Sequence, residues 1–574
     1  MPRPAASSFF LLFVALVISV VPTQARHAPV EARHGLVTSA HELGSQAGVE
    51  MLRKGGNAID AAVATGLALA VVYPIAGNLG GGGFMLIHLA DGRNVAIDYR
   101  ETAPASAARN MYIGPDGKLI KGLSTSGWRA SGVPGTVAGF AEAVEKYGSH
   151  RVTWADVCEP ARRLAADGFI VSASIAEDFR LFEPMLGQFG ESRRIYLNDG
   201  AYHEAGGKWV QEDLGKTIAR IQRYGPREFY EGETAHRIAD AMAANGGDIT
   251  LADLKNYRPA KRSPLVGRYR GCEIVTMPPP SSGGIVLLQM LGMLEAFDVA
   301  SLGQNTTAKC HLFAEVMKRA FRDRSEYLGD PDFVNVPVKG LLDPSYIRSR
   351  MADFNPDKAT PADAVMPGLG KYAAVAMRES NETTHFSVVD SAGNAVSNTY
   401  TLNGAFGSGV TIAGTGMLMN NQMDDFTSAI GIPNEFGLIQ GEANTIAPGK
   451  RPLSSMTPTF VFKGGRLVLI TGSPGGPTII NTVLQVITNV VDFGMAVQPA
   501  VDAPRINEQW MPDVIGCESH GMLPETIAGL RAKGHFIEEV GRQGDAETIA
   551  IDPNDGRIYG ASDPRNAGAK AVGY

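Results

Sequence analysis

Several things are scarce in this sequence of 574 residues, and each scarcity removes a class of function. Cysteine is the first: Cys158, Cys272, Cys310 and Cys517 are far apart, with no Cys-x-x-Cys pair. That spacing argues against a structural metal site or a disulfide scaffold and leaves room for one or two bridges. No His-Glu-x-x-His occurs among the 11 histidines, so nothing calls for a catalytic metal. Positive charge is also short, with 52 Lys+Arg against 59 Asp+Glu and a net charge of -7. A polyanionic partner, whether nucleic acid or an anionic membrane, calls for a basic face, so small molecules or peptides fit better. The N-terminal apolar run, FFLLFVALVISVV from Phe9 to Val21, is broken at Ser19 and is too short to span a bilayer. With Arg3 before it and the small-residue exit Pro22-Thr23-Gln24-Ala25 after it, residues 1–25 read as a secretory signal, with an uncleaved anchor as the alternative. The mature chain is expected to start near Arg26, in a periplasm or outside the cell, with no stable membrane insertion.

What is present is a large globular body with 44% hydrophobic residues, more than one core usually serves. The stretch SQAGVEMLRKGGNAIDAAVATGLALAVV predicts two helices broken at Gly55-Gly56, the second capped by Asn57, almost wholly apolar and stopped by Pro74. NLGGGGFMLIHL then runs four glycines, Gly80 to Gly83, into a strand. No Gly-Lys-Ser/Thr follows, so close backbone packing is a better reading than a phosphate cradle. Helical patterns dominate from about Val137 to Gly329. Residues 355–381 are polar, rich in Pro, Asp and Gly, and read as an exposed loop ending at Glu382. Short alternating strands follow: THFSVVD, NAVSNTYTL, TPTFVF and RLVLITG. The layer rule leads to a mixed sheet covered by helices.

At the junction of loop and strand stand Thr383 and Thr384. Taken alone, two threonines at a strand start are ordinary β-formers. A threonine hydroxyl becomes a useful nucleophile when a base stands beside it, and one way to supply the base is to make the residue N-terminal. Its own α-amine, with a reference pKa of about 7.7 to 8, then shuttles the proton. Cutting the chain between a polar loop and a buried strand would do this.

Here the surrounding blocks matter. ETTHFSVVD, TYTLN, NNQMDDF, KRPLSSM and TGSPGG follow one another, preceded in order by GGNAIDAAVA, AGNLGGGGFM, DYRETAP and SGVPGTVAG. Together they resemble the γ-glutamyltranspeptidase (glutathione hydrolase) family of N-terminal-nucleophile hydrolases from Gly35 to Tyr574. The resemblance implies an α+β fold, a four-layer αββα sandwich. It also implies a proenzyme that cuts itself between Glu382 and Thr383 into a large subunit, residues 26–382, and a small one, residues 383–574, which remain a heterodimer. No cofactor is implied. Thr383 would attack first the Glu382 carbonyl, by an N-to-O acyl shift, and then the γ-glutamyl amide of glutathione or a related compound. Water, an amino acid or a dipeptide would take the acyl group.

The other roles carry over position by position. Arg100 resembles the arginine that grips the substrate α-carboxylate, although on its own it reads as an ion-pair partner of Asp98 or Glu101. Asp425 resembles the acceptor of the α-ammonium, with Gln422 and Asn403 as neutral neighbours; Asp424 beside it reads equally as the surface member of a capping pair. Thr401 resembles the residue that supports the nucleophile. Ser454 and Ser455 resemble a pair that bonds the α-carboxylate, and Gly475 and Gly476 the backbone donors of an oxyanion hole; both pairs read otherwise as turns. GIPNEFGLIQGEANTIAPGK resembles the lid loop that some members carry, with Phe436 where some lidded relatives have a tyrosine. The nearest rival is a glutaryl-cephalosporin acylase of the same fold, whose substrate has no α-ammonium for Asp425. A rival from another class is a secreted solute-binding protein.

Overall fold

The computed structural model describes residues 28–369, 383–435 and 437–574. The expected signal at residues 1–25, the Glu382 side of the expected cut and Phe436 lie outside the described residues. Two seven-stranded sheets form the centre. The first contains, in order, Lys570–Gly573, Gly35–Ser39, Thr384–Asp390, Ala395–Thr401, Gly82–His88, Asn94–Tyr99 and Ala260–Arg262. The second runs Val30–Ala32, Ile558–Ala561, Thr548–Ile551, Arg466–Thr471, Thr459–Lys463, Cys272–Thr276 and Leu265–Tyr269.

Side chains alternate across each strand, and that alternation builds the layers. Phe84 and Leu86 enter the core between the sheets with Phe460, Ile470 and Ile549. Met85 and Ile87, one residue out of step, face helices Glu42–Arg53 and Ala58–Val72. On the far side Ile274, Val461 and Leu469 pack under helices Gly283–Leu294, Thr307–Tyr327 and Thr478–Val491. The result is the expected αββα sandwich.

The sheets are not mixed, which corrects the expectation from layers alone. Every pairing within the two large sheets is antiparallel. Tight hairpins such as Val388–Val396 and Ile87–Val95 join neighbouring strands, and parallel pairing would have needed long crossovers. The strands Ala260–Arg262, Leu265–Tyr269 and Cys272–Thr276 also interrupt the stretch read as helical. All four cysteines are buried free thiols, so neither of the bridges left open forms.

The helix Ala58–Val72 is wholly buried, starts at a capping box made by Asn57 and Asp60, and ends before Pro74, as its sequence predicts. It fixes the central hairpin: Ala58 N donates to Asp390 Oδ2 at 3.0 Å, and the Tyr400 hydroxyl donates to Gly66 O at 2.8 Å. The four-glycine tract also does what close packing requires. A Cβ on Gly81 would lie 2.0 Å from Thr401 O, and one on Gly83 2.5 Å from Thr399 O. The glycines thus bring the strand Gly82–His88 against the strand that ends at Thr401.

Candidate active site

Thr384 pairs with Tyr400 in the central hairpin, which sets Thr383 beside Thr401 one step beyond. Thr383 is buried, and its hydroxyl donates to Thr401 Oγ1 at 3.3 Å. Thr401 Oγ1 also accepts from Asn403 N at 2.8 Å. Asn403 holds a left-handed conformation, φ 83°, which turns the chain sharply after the strand. Its Oδ1 accepts from Gln422 Nε2 at 3.0 Å, and the same Gln422 nitrogen reaches Asp425 Oδ2 at 2.7 Å. Threonine, asparagine, glutamine and aspartate therefore form one hydrogen-bonded line.

Arg100 ends the line. Its guanidinium is bonded to Asp425 Oδ2 and also donates to Pro452 O and Leu453 O, both at 3.2 Å. The two alternatives for Arg100 resolve differently. Asp98 spends its carboxylate on Arg262, at 3.1 Å, and Arg451, at 3.4 Å, and takes only the backbone N–H of Arg100. Glu101 lies 3.7 Å from Arg100 Nη1, but burial pushes its carboxyl up to about 8. At neutral pH the charge of Arg100 is thus answered chiefly by Asp425, whose own carboxyl is raised by burial and held back by Arg100.

Ser454 and Ser455 follow on from the carbonyls that hold Arg100. Ser454 Oγ accepts from Met456 N at 3.2 Å, and Ser455 Oγ accepts from Arg324 Nη2 at 3.3 Å. Gly475 and Gly476 have positive φ, 127° and 52°, and lead through Pro477 into helix Thr478–Val491. That start puts the positive end of a helix dipole beside Thr383. All ten residues singled out in the sequence come together: Gly475 lines one cavity at Thr383, and the other eight line a second one with it.

Sequence reading missed Arg324 and misplaced Asp424. Arg324 is buried, donates from Nε to Ser282 Oγ at 2.8 Å, and lines the cavity with Arg100. Asp424 is not on the surface: it is buried, accepts from Ser124 Oγ at 2.7 Å and from Glu435 N at 2.6 Å, and has its carboxyl raised by burial to about 6. These bonds seat the segment expected as a lid. Asn434 Nδ2 reaches Asp425 Oδ1 at 3.2 Å, Glu435 Oε2 accepts from Asn421 at 2.8 Å, and Leu438 lines the cavity. Under it the cavity has about 20 Å³ of free space.

One group among the described residues could offer three metal ligands, His311, Glu315 and His535. It lines neither cavity at Thr383. His311 Nδ1 and His535 Nε2 are hydrogen-bonded at 2.7 Å, and Glu315 is occupied by Arg319 and the N–H of Thr360.

A hydroxyl at the mouth of a buried central strand, in an αββα sandwich and with a glycine pair lining the cavities beside it, defines an N-terminal-nucleophile hydrolase. Residues 44–573 match the family model described as gamma-glutamyltranspeptidase. A glutathione hydrolase proenzyme of Escherichia coli (strain K12) is 47% identical over 532 residues, 92% of this chain and 90% of that protein. Another, from Pseudomonas sp. (strain A14), is 45% identical over 562 residues, 96% of each. The crystal structure of a cephalosporin acylase from Bacillus halodurans superposes with a TM-score of 0.83 at 26% identity, covering 98% of this chain and 99% of that one. The chain belongs to the γ-glutamyltranspeptidase family, and the solute-binding alternative falls away.

Proposed function

We propose that this chain is a secreted or periplasmic proenzyme that cuts itself between Glu382 and Thr383 and then acts as a γ-glutamyltransferase and glutathione hydrolase. The observation that carries the reading is the Thr383 hydroxyl, 3.3 Å from Thr401, beside a buried cation and anion fit for an amino-acid head group. The carboxylate of the glutamyl group binds Arg100, Ser454 and Ser455, and its ammonium binds Asp425, with Gln422 and Asn403 alongside. Thr383 Oγ1 attacks the δ-carbonyl, and the Gly475 and Gly476 amides receive the oxyanion. The α-amine freed by the cut takes the hydroxyl proton and passes it to the leaving amine; with glutathione that amine is cysteinylglycine. Water or an amine acceptor then attacks the threonine ester.

Both sheets interleave strands from residues 26–382 with strands from 383–574: Thr384–Asp390 lies beside Gly35–Ser39, and Thr459–Lys463 beside Cys272–Thr276. Two fragments built this way stay joined after the peptide bond is lost, as a heterodimer. Among the described residues no helix is long and apolar enough to cross a membrane. The glutaryl-acylase reading has the fold in its favour, but such a substrate has no ammonium for Asp425.

The test is the purified wild type beside Thr383→Ala. The wild type should give two fragments on a denaturing gel, the smaller starting at Thr383 by N-terminal sequencing, and should release glutamate from glutathione. The variant should remain one uncut, inactive chain. Efficient cutting in Thr383→Ala would overturn the assignment.

A further inference from the structure

Two buried carboxyls that the acyl-transfer reading does not use, Asp545 and Glu547, stand behind the glycine loop of the site. They are hydrogen-bonded to each other, and among the described residues Asp545 Oδ1 and Glu547 Oε1 take no donor from any other group. Two ionised carboxylates only accept, so a proton must lie between them. The remaining bonds of the pair tie two parts of the site together. On one side Thr38 Oγ1 donates to Glu547 Oε2, and Ser387 Oγ donates to Glu547 O at 2.8 Å. Thr38 and Ser387 are cross-strand partners, and Ser387 lies on the strand that begins next to Thr383. On the other side Asp545 N donates to Ser473 Oγ at 2.9 Å, and that hydroxyl donates to Pro474 O at 2.7 Å, directly before Gly475 and Gly476. Gly544 lets the two loops touch: a Cβ on it would lie 2.6 Å from Ser473 Oγ, and one on Gly475 would lie 3.4 Å from Gly544 Cα.

The charged groups around the pair are spent on one another. Arg505 Nη2 donates to Asp563 Oδ2 at 2.6 Å, Arg565 Nη1 to Asp563 Oδ1 at 3.0 Å, and Arg565 Nη2 to Glu518 Oε2 at 2.6 Å. Arg542, which lines the same cavity as Asp545, acts on Asp178. The remaining group that faces Asp545 across this cavity is Thr383, with the α-amine that the proposed cut would free. The neutral Asn566 Nδ2 donates to Asp545 Oδ2 at 2.7 Å. Burial pushes the Asp545 carboxyl up to about 7, with Asp563 adding to the rise, and lifts that of Glu547 well above its usual range, with Asp545 adding to it. From about pH 7 upward one proton is left between the two, and it is given up only in alkali.

Resting on the acyl-transfer reading above, we propose that Asp545 and Glu547 share one proton and, through it, act as positioning residues that hold the loop of residues 472–476 at a fixed distance from the strand that follows Thr383. With the proton in place, Thr38, Ser387 and Glu547 on the strand side and Asp545 and Ser473 on the loop side form one hydrogen-bonded unit. Without it two carboxylates push apart, and Asp545 N draws Ser473 and the amides of Gly475 and Gly476 out of place. The sign follows from the raised carboxyls: the stability linked to them is complete in acid and is lost as pH climbs through their folded values, so the loop loosens in alkali.

The experiment follows Tm and the hydrolysis of γ-glutamyl-p-nitroanilide from pH 7 to pH 10 in the mature wild type, Asp545→Asn and Glu547→Gln. Either amide donates to the carboxylate that remains, so it keeps the bond and needs no proton. The substrate ammonium and the Thr383 α-amine titrate in all three proteins, so differences between the profiles report the pair. Across this range kcat of the wild type should fall by roughly fivefold more than that of either variant, the size of one lost hydrogen bond, with KM little changed. Its Tm should also fall more steeply. Superimposable profiles would overturn the shared proton and leave the nucleophile assignment intact, and so would a failure of both amide variants to fold, since each preserves the bond. A Tm profile that flattens in the variants while the kcat profile does not would overturn the positioning role. A wild type that releases no p-nitroaniline would overturn the acyl-transfer reading, and the Tm profiles would still decide the proton.

Discussion

Arg100 and Asp425, the two groups that match the opposite charges of a glutamyl head, are bonded to each other. Each keeps the other neutralised in a site where both side chains are almost wholly buried, 1% and 10% exposed. On the proposed function, an entering zwitterion would exchange one ion pair for two, carboxylate to Arg100 and ammonium to Asp425, so that neither charge would be left without a partner.

Asp425→Asn follows from that exchange. The variant keeps the shape and loses the ammonium's counter-charge, while leaving Arg100 without its main partner. Truncating one member of a buried pair costs about 3–5 kcal/mol; the isosteric amide, which still accepts a hydrogen bond, should fall below that range. A drop in Tm is expected, and kcat/KM should fall more for γ-glutamyl than for glutaryl substrates. Equal losses on the two substrates would remove the ammonium role from Asp425.

Thr401 meets the proposed nucleophile, Thr383, through its hydroxyl. Thr401→Val removes the acceptor for the Thr383 hydroxyl and for Asn403 N, and Thr401→Ser keeps both. A lost hydrogen bond of about 1 kcal/mol corresponds to roughly fivefold. Fragment formation, followed on a denaturing gel, should slow by at least that much in the valine variant and little in the serine variant.

Gly475 tests the proposed oxyanion loop. Its φ of 127° is a region L side chains rarely occupy, and a Cβ there would lie 2.2 Å from Thr478 Oγ1. Thr478 Oγ1 donates to Gly475 O at 2.7 Å, so moving it away also opens the turn. Gly475→Ala should cost about 1–3 kcal/mol in stability. It should also lower kcat far more than it raises KM, because the donors it displaces act on the transition state.

How much of this was legible follows the range of the interactions. The helix Ala58–Val72 was readable to its cap and its stop because both signals are local. So were the hairpin of Thr384–Asp390 with Ala395–Thr401 and the reason for four glycines. The bond between Arg100 and Asp425 joins positions 325 apart, and no pattern near either residue announces it; the family's ordered blocks did. Arg324 stayed hidden because its helix carries Lys309, Glu315, Lys318, Arg319, Arg322 and Asp323, a composition that reads as a solvated face, yet all of them are buried. The edge strand Leu265–Tyr269 alternates partly exposed with exposed residues up to Arg268 before ending on buried Tyr269, and Gly267 and Arg268 hid it. The cavity that Gly475 lines was missed because Tyr73 and Arg542, which border it with Thr383, come together only in the folded chain.

The lid supplies a dependence on pH. Glu435 on the lid is half-buried and Asp424 beneath it is buried, with carboxyls raised to about 7 and about 6; desolvation is the largest cause for each, Asp424 and Asp425 raise Glu435 further, and Asp425 raises Asp424 further. Asn421 Nδ2 and Ser124 Oγ pull the two values back. A carboxyl raised in the folded state is protonated there while the open segment's is already ionised. The stability linked to it is therefore complete near pH 4 and is lost as pH climbs through about 6 to 7. The lid should thus be held more firmly in acid and released toward neutral and alkaline pH, where the space beneath it must widen to admit substrate. Hydrogen exchange of a peptide spanning residues 427–440 should quicken between pH 5 and pH 8 beyond the intrinsic chemical rate. In Glu435→Gln, which cannot ionise yet can still accept from Asn421, that excess should shrink to the part set by Asp424. An excess unchanged in the variant would show that Glu435 is not the group that titrates.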